Sequence, residues 1–125
     1  MARSTTQGPV MKMFVKPGAV YLHREAVDFR KSINGLVLIV EQEMNLSPFS
    51  DSLFVFCNRA RDKLKIVYWD QTGFCLWYKR LEQERFKWPT RYCDPVMPLG
   101  EKQFNWLLSG YDVMGHQALK FTTIA

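Results

Sequence analysis

The feature that most constrains this chain is a pair of apolar runs around one turn. Residues 63–69, Lys63-Leu64-Lys65-Ile66-Val67-Tyr68-Trp69, lead through Asp70-Gln71-Thr72-Gly73 into residues 74–80, Phe74-Cys75-Leu76-Trp77-Tyr78-Lys79-Arg80. Two β-branched and aromatic segments flanking such a turn specify an antiparallel hairpin. Asp70 suits the opening of a type I turn, and Gly73 suits the left-handed position of a three-residue loop. That loop pairs Asp70 with Phe74. Tyr68 then faces Leu76, Ile66 faces Tyr78 and Leu64 faces Arg80 on the core side. On the outer side Trp69 faces Cys75, Val67 faces Trp77 and Lys65 faces Lys79. Two directly opposed lysines repel, so this register predicts an anion held between Lys65 and Lys79, beside two tryptophans. The plainer alternative is that the lysine stems splay over the tryptophans into water.

The rest of the chain supplies helices around this β structure. Asp28 reads as an N-cap for a helix over 29–44, whose apolar positions Phe29, Ile33, Leu36, Val37, Val40 and Met44 recur at helical spacing. Ile33, Val37 and Val40 are expected against the sheet. Arg30 and Lys31 fall in the first turn, where the macrodipole disfavours cations, so they point either to a nearby anion or to a solvated turn. Short strands are expected near 20–22, over 53–57 and near 85–88. A short helix is expected over 100–109, with Gly110 as its C′ residue. The predicted class is α+β: a small, hairpin-rich antiparallel sheet of about four or five strands packed with one amphipathic helix and a short C-terminal helix. A single domain over 19–110 would lie between a flexible N-terminal arm, 1–18, and a C-terminal tail, 111–125.

Charge narrows the function. The net charge is +5, and residues 59–91 carry all of it, with nine basic and four acidic side chains. The same stretch holds seven of the eighteen aromatic residues. Cations interleaved with rings suit nucleic acid, which asks for charge at phosphates and flat surfaces at bases. The candidate DNA-binding set is Arg59, Arg61, Lys63, Lys65, Trp69, Trp77, Lys79, Arg85 and Lys87. The same pattern also fits a solvated basic sheet face over an aromatic core.

Other classes are disfavoured. The longest apolar run is Leu36–Val40, far short of the roughly 20 residues a membrane span needs. With no secretory signal in view, a cytoplasmic protein is expected. Cys57, Cys75 and Cys93 have no CxxC spacing, and His23 and His116 lie far apart, which argues against a disulfide framework or a zinc site. No P-loop, GxGxxG, HExxH or GxSxG occurs. Asp28, Asp70 and Asp94 each have a local role as cap, turn or loop residue. A non-enzymatic protein without metal or cofactor is therefore expected.

Several segments together resemble one family. Asp28-Phe29-Arg30-Lys31 with Gly35-Leu36 resembles its opening motif, and Pro48-Phe49-Ser50 with Leu53-Phe54-Val55-Phe56 resembles the next. Asp62 to Asp70 with Gly73-Phe74, Trp77-Tyr78-Lys79-Arg80-Leu81-Glu82, and Phe86-Lys87-Trp88-Pro89 resemble the remainder, in the same order, over about residues 20–110. The family is the TnpB accessory protein from the second reading frame of insertion sequences of the IS66 type. It is unrelated to the RNA-guided nuclease that shares the label. The resemblance implies a small bacterial protein encoded beside a separate transposase and needed for transposition without catalysing it. DNA and the transposase of the same element are the implied partners. The alternatives are direct DNA binding through the hairpin, or docking on the transposase without DNA contact, with Trp69, Trp77 and Trp88 as anchors.

Overall fold

A computed structural model describes residues 17–113. Five strands form one sheet: β1 (Ala19–His23), β2 (Ser52–Cys57), β3 (Lys63–Asp70), β4 (Gly73–Arg80) and β5 (Val96–Pro98), in the order β4-β3-β2-β1-β5. Helix α1 (Ile33–Gln42) lies between β1 and β2 in the chain, and α2 (Glu101–Leu108) follows β5. The α+β class holds, with a mixed sheet. β1 runs parallel to β2, because a helical crossover rather than a tight turn joins them, and the other pairs are antiparallel.

Both faces of the sheet are covered. On one, Val20, Leu22, Leu53, Val55, Leu64, Ile66 and Tyr68 pack with Phe86, Trp88, Phe104 and Leu107, brought by α2 and the segment after β4. On the other, Phe54, Phe56 and Val67 pack under Leu36, Ile39, Val40 and Met44 of α1. Every residue of the central strand β2 is consequently buried. A strand covered twice reads as a continuous apolar run, which Leu53-Phe54-Val55-Phe56 is.

The hairpin differs from the expected register by one residue. Asp70 pairs with Gly73, Trp69 with Phe74, Lys65 with Tyr78 and Leu64 with Lys79. The loop is the two residues Gln71-Thr72, and Gln71, not the expected Gly73, takes the left-handed conformation (φ 53°). A one-residue shift turns every side chain of one strand to the other face relative to its partner. Lys65 and Lys79 therefore lie on opposite faces, and the shared anion site between them does not exist.

Three other boundaries are corrected. Helix α1 starts at Ile33, after Ser32, because Asp28 is engaged elsewhere: it accepts Arg30's backbone N–H at 2.9 Å and its guanidinium at 2.6–3.0 Å. That bidentate contact, chiefly the side-chain hydrogen bonds, lowers the Asp28 carboxyl to a pKa of about 2. Leu36, Ile39 and Val40 are its buried residues, while Ile33 and Val37 are half-buried. Residues 85–88 are not a strand; Phe86 and Trp88 are buried in an irregular segment anchored by the Phe86 N–H on the Arg61 carbonyl at 2.7 Å. The last strand is instead β5, against β1. The short helix is present, with Gly110 left-handed just beyond it (φ 90°). The N-terminal arm and most of the C-terminal tail lie outside the described residues.

Cys57, at the end of β2, is 1% exposed, and burial pushes its thiol up to about 12. An acid whose folded pKa is raised supports folding below its unfolded pKa, and that support is lost as pH climbs toward the folded value. Between about pH 9 and 12 the protein should lose stability more steeply than a Cys57→Ala variant. The difference in slope approaches about 1.4 kcal/mol per pH unit. Urea midpoints across that range, measured on both proteins, check it.

Candidate nucleic-acid interface

The geometry of the basic stretch begins with the turn from β2 to β3. Asn58 organises it: its side-chain carbonyl accepts the Lys63 N–H at 3.0 Å, and its amide donates to Asp62 at 2.7 Å. The Asp62 carboxyl is held below its ordinary pKa mainly by that hydrogen bond. Arg61 sits left-handed (φ 65°) with its N–H on the Asn58 carbonyl at 3.1 Å. A braced turn presents its side chains from a fixed backbone, and here those are Arg59, Arg61 and Lys63.

The ladder adds Arg80, which lies opposite Lys63, and Arg85 is close enough to Asp62 to act on its charge. Across the turn an open cleft of about 660 Å³ is lined by Ala26–Arg30, Asn58–Ala60 and Lys63. Its charged groups are Arg30, Arg59, Lys63 and Asp28. Asp28 is neutralised by Arg30, and Arg80 is paired with Glu82 at 3.0 Å. Arg59 and Lys63 form no ion pair among the described residues. The cationic end of the sheet thus gathers Arg59, Arg61, Lys63 and Arg85 from the sequence-predicted set, and adds Arg30 and Arg80.

The other candidates are placed differently. Lys65 turns toward α1, where its ammonium donates to the Phe29 carbonyl at 3.0 Å and lies 4.7 Å from the centre of the Phe29 ring. Lys79 is on the opposite face, and its ammonium donates to the Leu108 carbonyl at 2.8 Å, at the negative end of α2. Both charges serve the fold. Lys87 is exposed on the irregular segment. Trp77 is half-buried against the core. Trp69 lies at the far end of β3, about 20 Å along the strand from Lys63, in a cluster with Phe49 and Phe74 whose ring centres are 5.0–5.3 Å apart. Trp69 and Phe74 are therefore carried to the turn end of the hairpin, away from Arg59, Arg61 and Lys63, while Tyr78 stays opposite Lys65.

Arg30 had a signal in the sequence, as a cation in the first turn of the expected helix, where the macrodipole disfavours it. Phe49 had none beyond an aromatic residue in a loop. Among the described residues no three His, Cys, Asp or Glu side chains converge as a metal site, and no helix is long and apolar enough to cross a membrane.

Fold and surface define a small two-sided α+β protein with an open cleft at one end of the sheet lined by Arg30, Arg59 and Lys63. A family profile described as IS66 Orf2 like protein matches residues 18–118, and the chain belongs to that family, whose members are accessory to transposition of IS66 elements. Two similar proteins come from Sinorhizobium fredii (strain NBRC 101917 / NGR234). "Uncharacterized protein y4jC" is 34% identical over 88 residues, 70% of this chain and 74% of that protein. "Uncharacterized protein y4hO" is 34% identical over 93 residues, 74% of this chain and 80% of that one. No solved structure matches the chain.

Proposed function

We propose that this protein is a non-catalytic factor in transposition of its element and that it holds DNA by the phosphate backbone at the cationic end of the sheet. The observation that carries the reading is the convergence of Arg30, Arg59 and Lys63 on one open cleft, with Arg61 on the same braced turn and Arg85 beside it, in the segment whose Phe86 N–H bonds to the Arg61 carbonyl. The contacts are to the backbone, because cations on a turn and a sheet end neutralise phosphates and offer no helix to the major groove. Half-buried packing of Trp77 against the core supports backbone contact over base stacking on that ring. The transposase of the same element is the second partner.

The test is fluorescence anisotropy of a labelled duplex carrying the element's terminal repeat, titrated with the full chain at several salt concentrations. Replacing Arg59 and Lys63 together by Ala should lower the slope of log affinity against log salt by roughly 2, since each phosphate contact contributes about 0.9. Lys65→Ala and Lys79→Ala should leave the slope in place, because both ammonium groups are occupied by carbonyls. An unchanged slope in the Arg59/Lys63 variant, together with salt-resistant binding to purified transposase, would favour docking without DNA contact.

A further inference from the structure

We propose that the open edge of β4 is a self-association surface, through which two copies of this chain pair antiparallel about Leu76 and join their sheets. β4 is the outermost strand, with no further strand beside it among the described residues. Because a two-residue loop closes the hairpin, Asp70 and Gly73 are a hydrogen-bonded pair and the pattern alternates from there. The Leu81 N–H on the Asp62 carbonyl, at 2.8 Å, keeps the same phase beyond the strand. The odd-numbered residues of β4 therefore bond to β3. Phe74, Leu76, Tyr78 and Arg80 direct their backbone N–H and C=O groups outward.

Proteins normally blunt such an edge with charge, proline or a bulge. The run Gly73-Phe74-Cys75-Leu76-Trp77-Tyr78 has neither charge nor proline. Its ladder to β3 is unbroken, from Lys63 opposite Arg80 to Asp70 opposite Gly73. The opposite edge of the sheet is protected in the usual way: β5 has three residues, ends on Pro98 and follows Pro95. The apolar side chains beside the β4 edge are also uncovered. Leu76 is 37% exposed, Tyr78 50% and the neighbouring Phe49 56%.

The occupant that fits is a second copy. A two-fold axis at Leu76 sets Leu76 against its own copy, Phe74 against Tyr78, and Cys75 against Trp77. Lys79 and Arg80, the cationic end of the strand, fall opposite Gly73 and Thr72 of the other copy, so no like charges meet. Parallel pairing in register would put the two arginines side by side, which is destabilising. In the antiparallel pair each exposed strip continues into its copy, Phe74 meeting Tyr78 on the same face. The inference is independent of whether DNA binds the cationic end.

Sedimentation equilibrium of the full chain without nucleic acid, at high salt, tests it. The wild-type protein should show twice the mass of one chain. Leu76→Lys and Leu76→Glu should each show the mass of one chain with an unchanged far-UV spectrum. Mixing them should restore the doubled mass, because opposite charges then meet at the symmetric position. Hydrogen exchange on the wild-type chain gives a reading that needs no variant: the amides of Phe74, Leu76 and Tyr78 should be protected like those bonded to β3. A wild-type mass of one chain, or free exchange of those three amides, overturns the proposal. So does a doubled mass that survives both substitutions, which would place the contact elsewhere.

Discussion

Trp88→Ala should cost the domain about 3–5 kcal/mol, the range for deleting a large buried aromatic side chain. Trp88 is 7% exposed and packs in the core cluster beneath the sheet, although it belongs to no regular element. Its indole N–H donates to two carbonyls at the end of β1, those of His23 at 3.1 Å and Arg24 at 3.0 Å. The substitution opens a cavity and strips two main-chain acceptors of a partner. Trp88→Phe separates these effects: it keeps most of the volume and loses the N–H, so it should cost about 1–3 kcal/mol. Urea unfolding followed by far-UV circular dichroism measures both. The m-value should stay constant if the effect is on the native state alone.

Leu36→Asp should leave the chain unfolded at neutral pH. Leu36, on the sheet-facing side of α1, is fully buried in a cluster with Val40, Phe54, Phe56 and Val67 that contains no cation. The substitution forfeits about 1.5–3 kcal/mol of apolar burial and either buries an unpaired carboxylate or holds the carboxyl protonated against its ordinary pKa. Against a total stability of about 5–15 kcal/mol, the sum is decisive. The pH dependence has a definite sign. Burial raises the folded pKa of the introduced acid, so the penalty is smallest below the ordinary carboxylate pKa and grows as pH rises above it. A variant that folds better at pH 4 than at pH 7 is the expected result. A full melting temperature at pH 7 would mean that α1 does not rest on the sheet. Val37, although on the helical stripe read from the sequence, is only half-buried and should tolerate the same change far better.

The elements with strong local chemistry were legible: the strands flanking Asp70–Gly73, the amphipathic stripe of α1, and Gly110 closing α2. The hairpin register was not, for two physical reasons. The left-handed loop residue is Gln71, whereas the sequence offers Gly73 as the residue with the least resistance to that conformation. The check that normally fixes register, one apolar and one polar face, fails because the sheet is covered on both sides and β3 contributes core residues to both, Leu64, Ile66 and Tyr68 on one and Val67 on the other. The error mattered for the site. It placed Lys65 and Lys79 together, while the true register sends one to the Phe29 carbonyl and the other to the end of α2. β5 was invisible for a different reason. The three residues Val96–Pro98, bracketed by prolines, read as loop, and only pairing with β1 makes them a strand. Burial of Phe86 and Trp88 created the opposite illusion, because the alternation that suggested a strand is real while the ladder is missing.

The pairing of β1 sets an order of assembly. β3 and β4 close across two residues and can form as soon as both exist. β1 must wait for β2 to arrive across a helix, and its other edge for β5, Leu22 meeting Met97. Chain-closure entropy rises slowly with loop length, so the distance is affordable in free energy. It is slower in time, since non-local contacts form after local ones. Leu22, among the first residues of the sheet to leave the ribosome, is therefore among the last to be enclosed. Until Val96–Pro98 emerges, β1 keeps one row of amide groups open, so the nascent chain is adhesive at an edge that the finished protein hides.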